Sequence, residues 1–596
     1  MNAVSDIATP IRNDADPQHI VRTWLERFNA AIEAGDETML SRLFRADSHW
    51  RNVLGIDWSF ATITGRETIV PALVAACSKN GARNFVIYEN RTQPFEGQTA
   101  GEPTIDAILN FETSIGTGIA HLRVQTPADG EVVAWTLMTF IDSLKGHDLE
   151  SERLKRERPA YERDWSGPNW ADKRRESGSF ADRDPQVLVV GGGHGGLTAA
   201  AWLKALNIET LVVDRIARIG DNWRNRYNAL KLHSPTNSVH FPFIPFPDTW
   251  PRYIPKDKIA NWMEFYVDAM EIDFWTSTSF EGADYDEARG RWNARLKLAD
   301  GSIRVLHPTE IIMATSQNSV PVMPRIPTIE HFSGPVLHSS QFSNGHAWAG
   351  KNVLVFGTGT SGHDLSQELH SSGANVTMVQ RGETEIVEIE PTAGLYVDHV
   401  FEGDGPPLEE RDLLFCSLPA QLVMQEHQKL TRIAHEMDRP LLDGLRKVGF
   451  KLDSDPDSFG WVFKGIARGG GYYFNVGGSN LLVNGDVGLI QYEDIVRFDS
   501  NGLHLADGRF LPCDLVIMAT GYKGVADLLQ RLFGEDVTRR VGQVWGFDPD
   551  RQELANMWVE SPQKGLWFAG GTFTHSRIFS KYLAIQIKAK QLGIAS

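Results

Sequence analysis

Apolar residues in the first quarter of the chain recur first at helical and then at strand spacing. Ile20, Val21, Trp24, Leu25, Phe28, Ala31 and Ile32 lie mostly three to four apart, and Gly35-Asp36 ends the run, so a helix is expected there. Ile105, Ala107, Leu109 and Phe111 alternate with mostly polar neighbours, the mark of a half-buried strand, and Val132–Ile141 reads as another. One or two helices on a curved antiparallel sheet, an α+β unit over residues 17–144, account for this part. Residues 1–16 carry no such pattern and are expected to form a disordered tail. Residues 145–184 are dominated by charge, with Pro and Gly late in the segment, and read as a surface linker. Their aromatics Tyr161, Trp165, Trp170 and Phe180 suggest packing against the next domain. From Gln186 the pattern becomes β-α-β and runs to the end, with a loop-rich middle between residues 383 and 485.

Two segments of that region share one design. Val187–Val190 is an apolar strand, and Gly191, Gly193 and Gly196 follow in GxGxxG register. The first glycine permits the tight turn, the second lets the backbone approach a pyrophosphate, and the third lets the helix pack close to the strand. The helix N-terminus offers N–H groups and the positive dipole end to the phosphates. Leu211–Val213 forms the second strand, and Asp214 closes it at the distance that suits ribose hydroxyls, with Arg215 beside it. The second unit repeats the plan with strand Val353–Phe356, glycines 357, 359 and 362, Thr360, and strand Val376–Val379. It ends in Gln380-Arg381 rather than an acid, and an arginine there suits a 2′-phosphate. The fold class is therefore α/β, with two Rossmann-type units after the α+β domain. An acid at one site and a base at the other suggest FAD in the first and NADPH in the second, with NADH as an alternative donor.

Composition narrows the picture. The formal net charge of -17 argues against nucleic acid or an anionic membrane as partner. Cys77, Cys416 and Cys513 lie far apart with no CxxC pair, so a disulfide framework, a zinc site or a dithiol centre is not expected, and no metal site is. No apolar leader and no run of spanning length is visible, which favours a cytoplasmic protein without a membrane anchor.

Between the two units stands Phe332-Ser-Gly-Pro-Val-Leu-His338-Ser-Ser-Gln-Phe342. It matches FxGxxxHxxx(Y/F), and with it residues 186–596 resemble the flavin-containing monooxygenases, class B flavoprotein monooxygenases. Ala519-Thr520-Gly521-Tyr522 is similar to the late ATG motif of that family. Ala314-Thr315-Ser316 stands where an earlier ATG is usual, with Ser in place of Gly. Gly220–Pro235, with Trp223, Arg226 and His233, resembles the segment along the isoalloxazine, and Gly570-Gly571-Thr572 the C-terminal flavin contact. His233 stands where many relatives carry Asn. Residues 17–144 resemble, more distantly, the cone-shaped nuclear-transport-factor/SnoaL domains, through the HWRN…TGRE pattern around His49 and Gly65.

The resemblance implies a domain plan: 185–346 as the first part of the FAD domain, 347–485 as the NADPH domain with a helical substrate or lid region, and 486–596 as the second part of the FAD domain. It implies FAD, NADPH and O2, a C4a-(hydro)peroxyflavin, and transfer of one oxygen atom to a small ketone, amine or sulfide. His233 is the candidate donor near the flavin, or fixes the flavin edge. His338 is the candidate for coupling domain motion to nicotinamide binding, and Asn475, in GGGYYFNVGG, for a contact with substrate or cofactor. His194 and Thr315 join the expected cofactor contacts. The amino-terminal domain is expected to pack or to form a homodimer, with His49, Trp50 and Asp57 as candidates for a second pocket. An NADPH oxidase or reductase, and a non-catalytic NADPH sensor, stay open as alternatives.

Overall fold

A computed structural model of the chain describes residues 16–127, 130–155, 166–455 and 457–594. The expected amino-terminal tail up to residue 15, and the middle of the charged linker with Tyr161 and Trp165, lie outside the described residues.

The amino-terminal domain begins with helix α1 (Pro17–Ala34). Asp16 caps it by accepting from the Gln18 N–H, Pro17 sits where its missing N–H costs nothing, and Gly35 at φ 63° ends it. Its apolar stripe packs on the sheet: Trp24 stacks on Phe28 with centroids 4.7 Å apart, and Phe28 meets Phe85 edge-on at 5.1 Å. Full burial of each such ring stabilises by roughly 2–3 kcal/mol. Helices α2 (Glu37–Ser41) and α3 (Arg66–Asn80) complete the helical layer. The strands are β1 (Phe44–Val53), β2 (Phe60–Thr64), β3 (Arg83–Ile87), β4 (Phe95–Thr99), β5 (Glu102–Glu112), β6 (Gly116–Gln125) and β7 (Val133–Leu144). Their order is β2-β1-β7-β6-β5-β3, with β4 also on β5. The expected antiparallel sheet is in fact mixed, because β1 runs parallel to β7; the intervening strands return the chain in that direction.

Strand alternation gives this sheet two apolar faces. Ala120 and Leu122 face the helices, whereas Ile119 faces the rest of the chain. On that second face Phe140 stacks on Tyr582 at 5.5 Å and Asp142 pairs with Lys581 at 2.8 Å. The face is thus covered within the same chain.

Two parallel five-stranded sheets make the rest of the frame. The first holds β8 (Val187–Val190), β9 (Thr210–Val213), β10 (Asp273–Trp275) and β11 (Glu310–Met313). The second holds β12 (Val336–His338), β13 (Asn352–Phe356), β14 (Asn375–Gln380), β15 (Gly488–Gln491) and β16 (Leu515–Met518). β17 (Leu566–Phe568) returns to the first sheet, whose order is β10-β9-β8-β11-β17; the second runs β12-β16-β13-β14-β15. All neighbours in both are parallel, and their central strands are buried on both sides. The sheets correct two boundaries. β12 lies before residue 347 and β15 and β16 after 485, yet all three belong to the second sheet. Parallel sheets are completed by strands distant in sequence, and no local pattern says which sheet a Val/Ile run will join.

Helix α4 (His194–Ala205) follows β8 and helix α5 (Thr360–Ser371) follows β13. Helices α6 (Leu408–Cys416) and α7 (Ala420–Met437) belong to the irregular middle, and the long helix α8 (Phe573–Gln591) packs on α4 and on the amino-terminal sheet. Among the described residues, no helix is long and apolar enough to cross a membrane.

Candidate active site

Both glycine loops have the same geometry. Gly191 and Gly357 each take φ 109°, and a Cβ there would stand 2.5 Å from the Ala314 carbonyl oxygen and 2.3 Å from that of Ala519. A Cβ on Gly196 or Gly362 would lie 2.0 Å from the carbonyl oxygen of Gly191 or Gly357, so each helix packs against its own strand as only glycine allows. Gly193 and Gly359 differ. Their nearest neighbours to a Cβ are Asn222 Nδ2 at 3.6 Å and the Tyr472 carbonyl oxygen at 3.8 Å. Each loop is therefore crowded where the chain folds back and open over the helix N-terminus, where a pyrophosphate needs room.

Around the first loop the expected cofactor contacts converge. Asp214 directly follows β9 and accepts from the Gly192 and Ile216 N–H groups at 2.7 and 3.1 Å, while Arg215 beside it is exposed. His194 donates from Nε2 to the Gly571 carbonyl at 2.9 Å and stacks on Phe573 at 4.2 Å, bringing the early loop to the late glycines. Burial holds its pKa below the ordinary imidazole value. Trp223 packs near the same Phe573. Two polar atoms of the flavin-side segment, Asn222 Oδ1 beside the first loop and Arg226 Nε, are buried with no partner among the described residues. Such groups are costly unless a ligand meets them, so the open loop and these orphaned atoms fit a bound dinucleotide. At the second loop, Thr360 opens α5 and donates to the Tyr472 carbonyl, and Arg381 is exposed just past β14 with no ion pair among the described residues.

The two connections between the sheets pair as a short antiparallel ribbon, Val320 with Lys523 and Pro321 with Tyr522. Thr520 donates to the Val322 carbonyl at 2.7 Å. Thr315 stands half-buried at the end of β11. Ser316, in the place of the usual glycine, takes φ 66°, so the turn keeps the left-handed backbone of a glycine turn at a cost of roughly 1–2 kcal/mol. His338 serves this ribbon rather than the cavity. Its Nε2 donates to the Gly521 carbonyl at 3.1 Å, its Nδ1 accepts from the Ser340 N–H at 3.1 Å, and its own N–H donates to Gln341.

A cavity of about 250 Å³ is enclosed by the flavin-side segment, the irregular middle, the carboxy-terminal part and the amino-terminal domain. His233 and Ser234 line it from the flavin-side segment, Met557, Trp558 and Phe579 from the carboxy-terminal part, and Trp461 and Phe474 from the middle. The middle segment also contributes Phe415, Cys416, Val423 and His427, whereas its Leu441, Leu442 and Leu445 are core. His233 reaches two parts at once: its ring is on the cavity and its Nε2 lies 3.7 Å from Asp364 of α5. Tyr227 also donates to Asp364, at 2.5 Å, and burial pushes that carboxyl above its usual range. Burial lowers His427 and His575 to about 4, so these two imidazoles are neutral at pH 7.

Asn475 does not line the cavity. Its amide donates to Glu388 and Asn480 and accepts from the Gly477 and Ser479 N–H groups, which spends its capacity on the turn into helix Gly478–Asn484. Its neighbour Phe474 is the one on the wall. The candidates for a second pocket are engaged by neighbouring side chains: His49 bonds Thr64, Trp50 donates to Thr139, and Asp57 accepts from Asn52. The residues that pattern reading missed are Arg51 and Phe60, which bring the amino-terminal domain to the same cavity as His233.

Comparisons with known proteins agree with this frame. The pattern of the family described as pyridine nucleotide-disulphide oxidoreductase matches residues 188–396. The chain is 36% identical over 204 residues to indole-3-pyruvate monooxygenase YUCCA1 of Oryza sativa subsp. japonica, covering 34% of this chain and 49% of that one. It is 30% identical over 345 residues to probable indole-3-pyruvate monooxygenase YUCCA4 of Arabidopsis thaliana, covering 57% of this chain and 76% of the relative. It thus spans about half of the rice protein and three quarters of the Arabidopsis one. Among solved structures, a cyclohexanone monooxygenase mutant from Rhodococcus sp. Phi1 bound to NADP+ matches at TM-score 0.52 and 17% identity, over 69% of this chain and 87% of that one, a likeness of fold.

Proposed function

The chain belongs to the flavin-containing monooxygenase family, and on that premise we propose that it transfers one atom of O2 to a small, largely apolar substrate held in the cavity beside His233. The observation that carries this reading is the position of the cavity. One aromatic-walled space is lined together by the end of the flavin-side segment, His233–Pro235, by the irregular middle and by the carboxy-terminal part. Bound FAD, reduced by NADPH, supplies the chemistry that activates O2. The chain's own part is positioning and exclusion of water. Trp461, Phe474, Trp558 and Phe579 wall the space with apolar surface, which protects a reactive oxygen species from water. His233, braced near Asp364, can donate a hydrogen bond to an oxygen held there. Tyr227 donates to Asp364 and so ties the flavin-side segment to α5.

The test is turnover under 18O2 with NADPH and a panel of ketones, sulfides and amines. Indole-3-pyruvate belongs in it, because the relatives above are named for that compound. One labelled oxygen in product per NADPH supports the reading; NADPH consumption yielding only peroxide across the panel supports an oxidase instead.

Arg381 carries the choice of nicotinamide in this reading. Arg381→Ala is expected to lower kcat/KM for NADPH by about tenfold or more and to leave NADH nearly unchanged, since a charge-assisted hydrogen bond contributes roughly 1.5–3 kcal/mol. Flavin reduction by each donor measures it. An equal effect on both would mark Arg381 as a surface cation only.

A further inference from the structure

Two side chains of the amino-terminal domain reach the cavity, and neither belongs to the nucleotide-binding frame. Arg51 stands on β1 between Trp50 and Asn52, and alternation turns it away from the face that buries Trp50 among the helices. Its Nε and Nη2 donate to the two carboxylate oxygens of Glu553, each at 2.6 Å, and its Nη1 donates to the carbonyl of Cys416, the last residue of α6. One residue thus joins three parts of the chain. Burial disfavours the charged guanidinium, and Glu553 more than offsets that cost, so its pKa is raised. Phe60, on β2, packs against Phe579 with centroids 5.6 Å apart, and both rings line the cavity.

A guanidinium carries more N–H groups than these contacts use. One on each terminal nitrogen of Arg51 has no acceptor among the described residues, although the side chain is only 11% exposed. The other arginine on the cavity differs. Arg252 is 38% exposed and faces Glu390, Asp398 and Glu402, so its charge is more than cancelled at the solvent side. Arg51 is the buried donor with unmet capacity. Because Glu553 balances its charge, the acceptor it suits is a neutral oxygen rather than an anion.

We propose that the amino-terminal domain completes the substrate site, and that Arg51 and Phe60 select a substrate with an apolar ring and a carbonyl oxygen, the oxygen accepting from Arg51 and the ring packing on Phe60. This rests on the monooxygenase reading only in taking the cavity as the reacting site.

The experiment is equilibrium binding to the FAD-loaded full chain without NADPH, read by the fluorescence of Trp461 and Trp558 on the cavity wall. The probes are 4-phenyl-2-butanone and (3-methylbut-3-enyl)benzene, in which CH2 replaces the oxygen. The unsubstituted protein is expected to bind the ketone about tenfold more tightly, the worth of one hydrogen bond to a charged group. Arg51→Lys, which keeps the charge opposite Glu553 but lacks the fork, is expected to reduce that preference to about twofold or less. The double variant Arg51→Met with Glu553→Leu is expected to remove it. Phe60→Ala is expected to weaken both probes equally, by about fivefold. Equal affinity for the two probes in the unsubstituted protein, or a preference that survives Arg51→Lys, overturns the proposal. If the double variant fails to hold FAD, Arg51→Lys and Phe60→Ala decide. Binding is independent of turnover, so absence of oxygenation would defeat the monooxygenase reading alone, and equal affinities would defeat this inference alone.

Discussion

Gly193→Val is expected to give a folded protein that does not hold FAD. Gly193 has φ -76°, which any residue adopts, and a Cβ there meets nothing closer than Asn222 Nδ2 at 3.6 Å. The backbone is therefore not strained by the change. What a branched side chain fills is the space over the N-terminus of α4, where pyrophosphate must lie against free N–H groups. The affinity for FAD should fall by on the order of 100-fold, equivalent to about 3 kcal/mol. Flavin per protein after purification, and titration of the apoprotein with FAD, measure it. Thermal stability of the apo form should stay within a few degrees of unsubstituted apoprotein. Gly191→Val is the contrasting case: at φ 109°, with a Cβ 2.5 Å from the Ala314 carbonyl oxygen, it should fail to fold rather than fail to bind. Stoichiometric FAD in Gly193→Val would show that the first loop is not a nucleotide site.

Gly359→Val separates the second site from the first. Gly359 has φ -79°, and the nearest atom to a Cβ is the Tyr472 carbonyl oxygen at 3.8 Å. The variant should keep its fold and its FAD. Reduction of that FAD by NADPH should slow by on the order of 100-fold at limiting NADPH, because the nucleotide loses its seat on α5. Reduction by dithionite, which needs no seat, should be unchanged. Rapid-mixing absorbance with the two reductants distinguishes the outcomes. Equal rates with NADPH in variant and unsubstituted protein would place the hydride donor elsewhere.

The parts of the molecule that pattern reading made legible are those whose cause is local. A strand, a glycine loop, a helix and a second strand lie within thirty or so residues in each unit, so backbone sterics and periodicity write them directly into the chain. The helix ending at Gly35 and the alternation of Ile105–Phe111 are of the same kind. The cavity is not local. Residues 51, 60, 233, 461 and 579 meet on it, and nothing in the spacing of such distant residues announces that they touch. In β1 the candidates His49 and Trp50 are spent on Thr64 and Thr139, and the residue that matters is Arg51, one position on and turned to the other face. In the strand Tyr472–Asn475 the amide was the natural candidate for chemistry, yet it holds a turn, and Phe474 meets the cavity. Ser316 shows the opposite case, in which a residue that departs from a motif keeps the backbone of the motif.

The central claim, that the cavity beside His233 is an oxygen-transfer site, is tested most directly by rapid mixing. FAD-loaded protein, reduced with one equivalent of NADPH, is mixed with O2 in the absence of substrate, and the flavin spectrum is followed with time. A long-lived spectrum that belongs to neither reduced nor oxidised FAD is expected, because the aromatic wall keeps water from the reacting oxygen, and its decay should be hastened by a substrate that is oxygenated. Direct return to oxidised FAD with one equivalent of peroxide, unaltered by any member of the ketone, sulfide and amine panel, would contradict it.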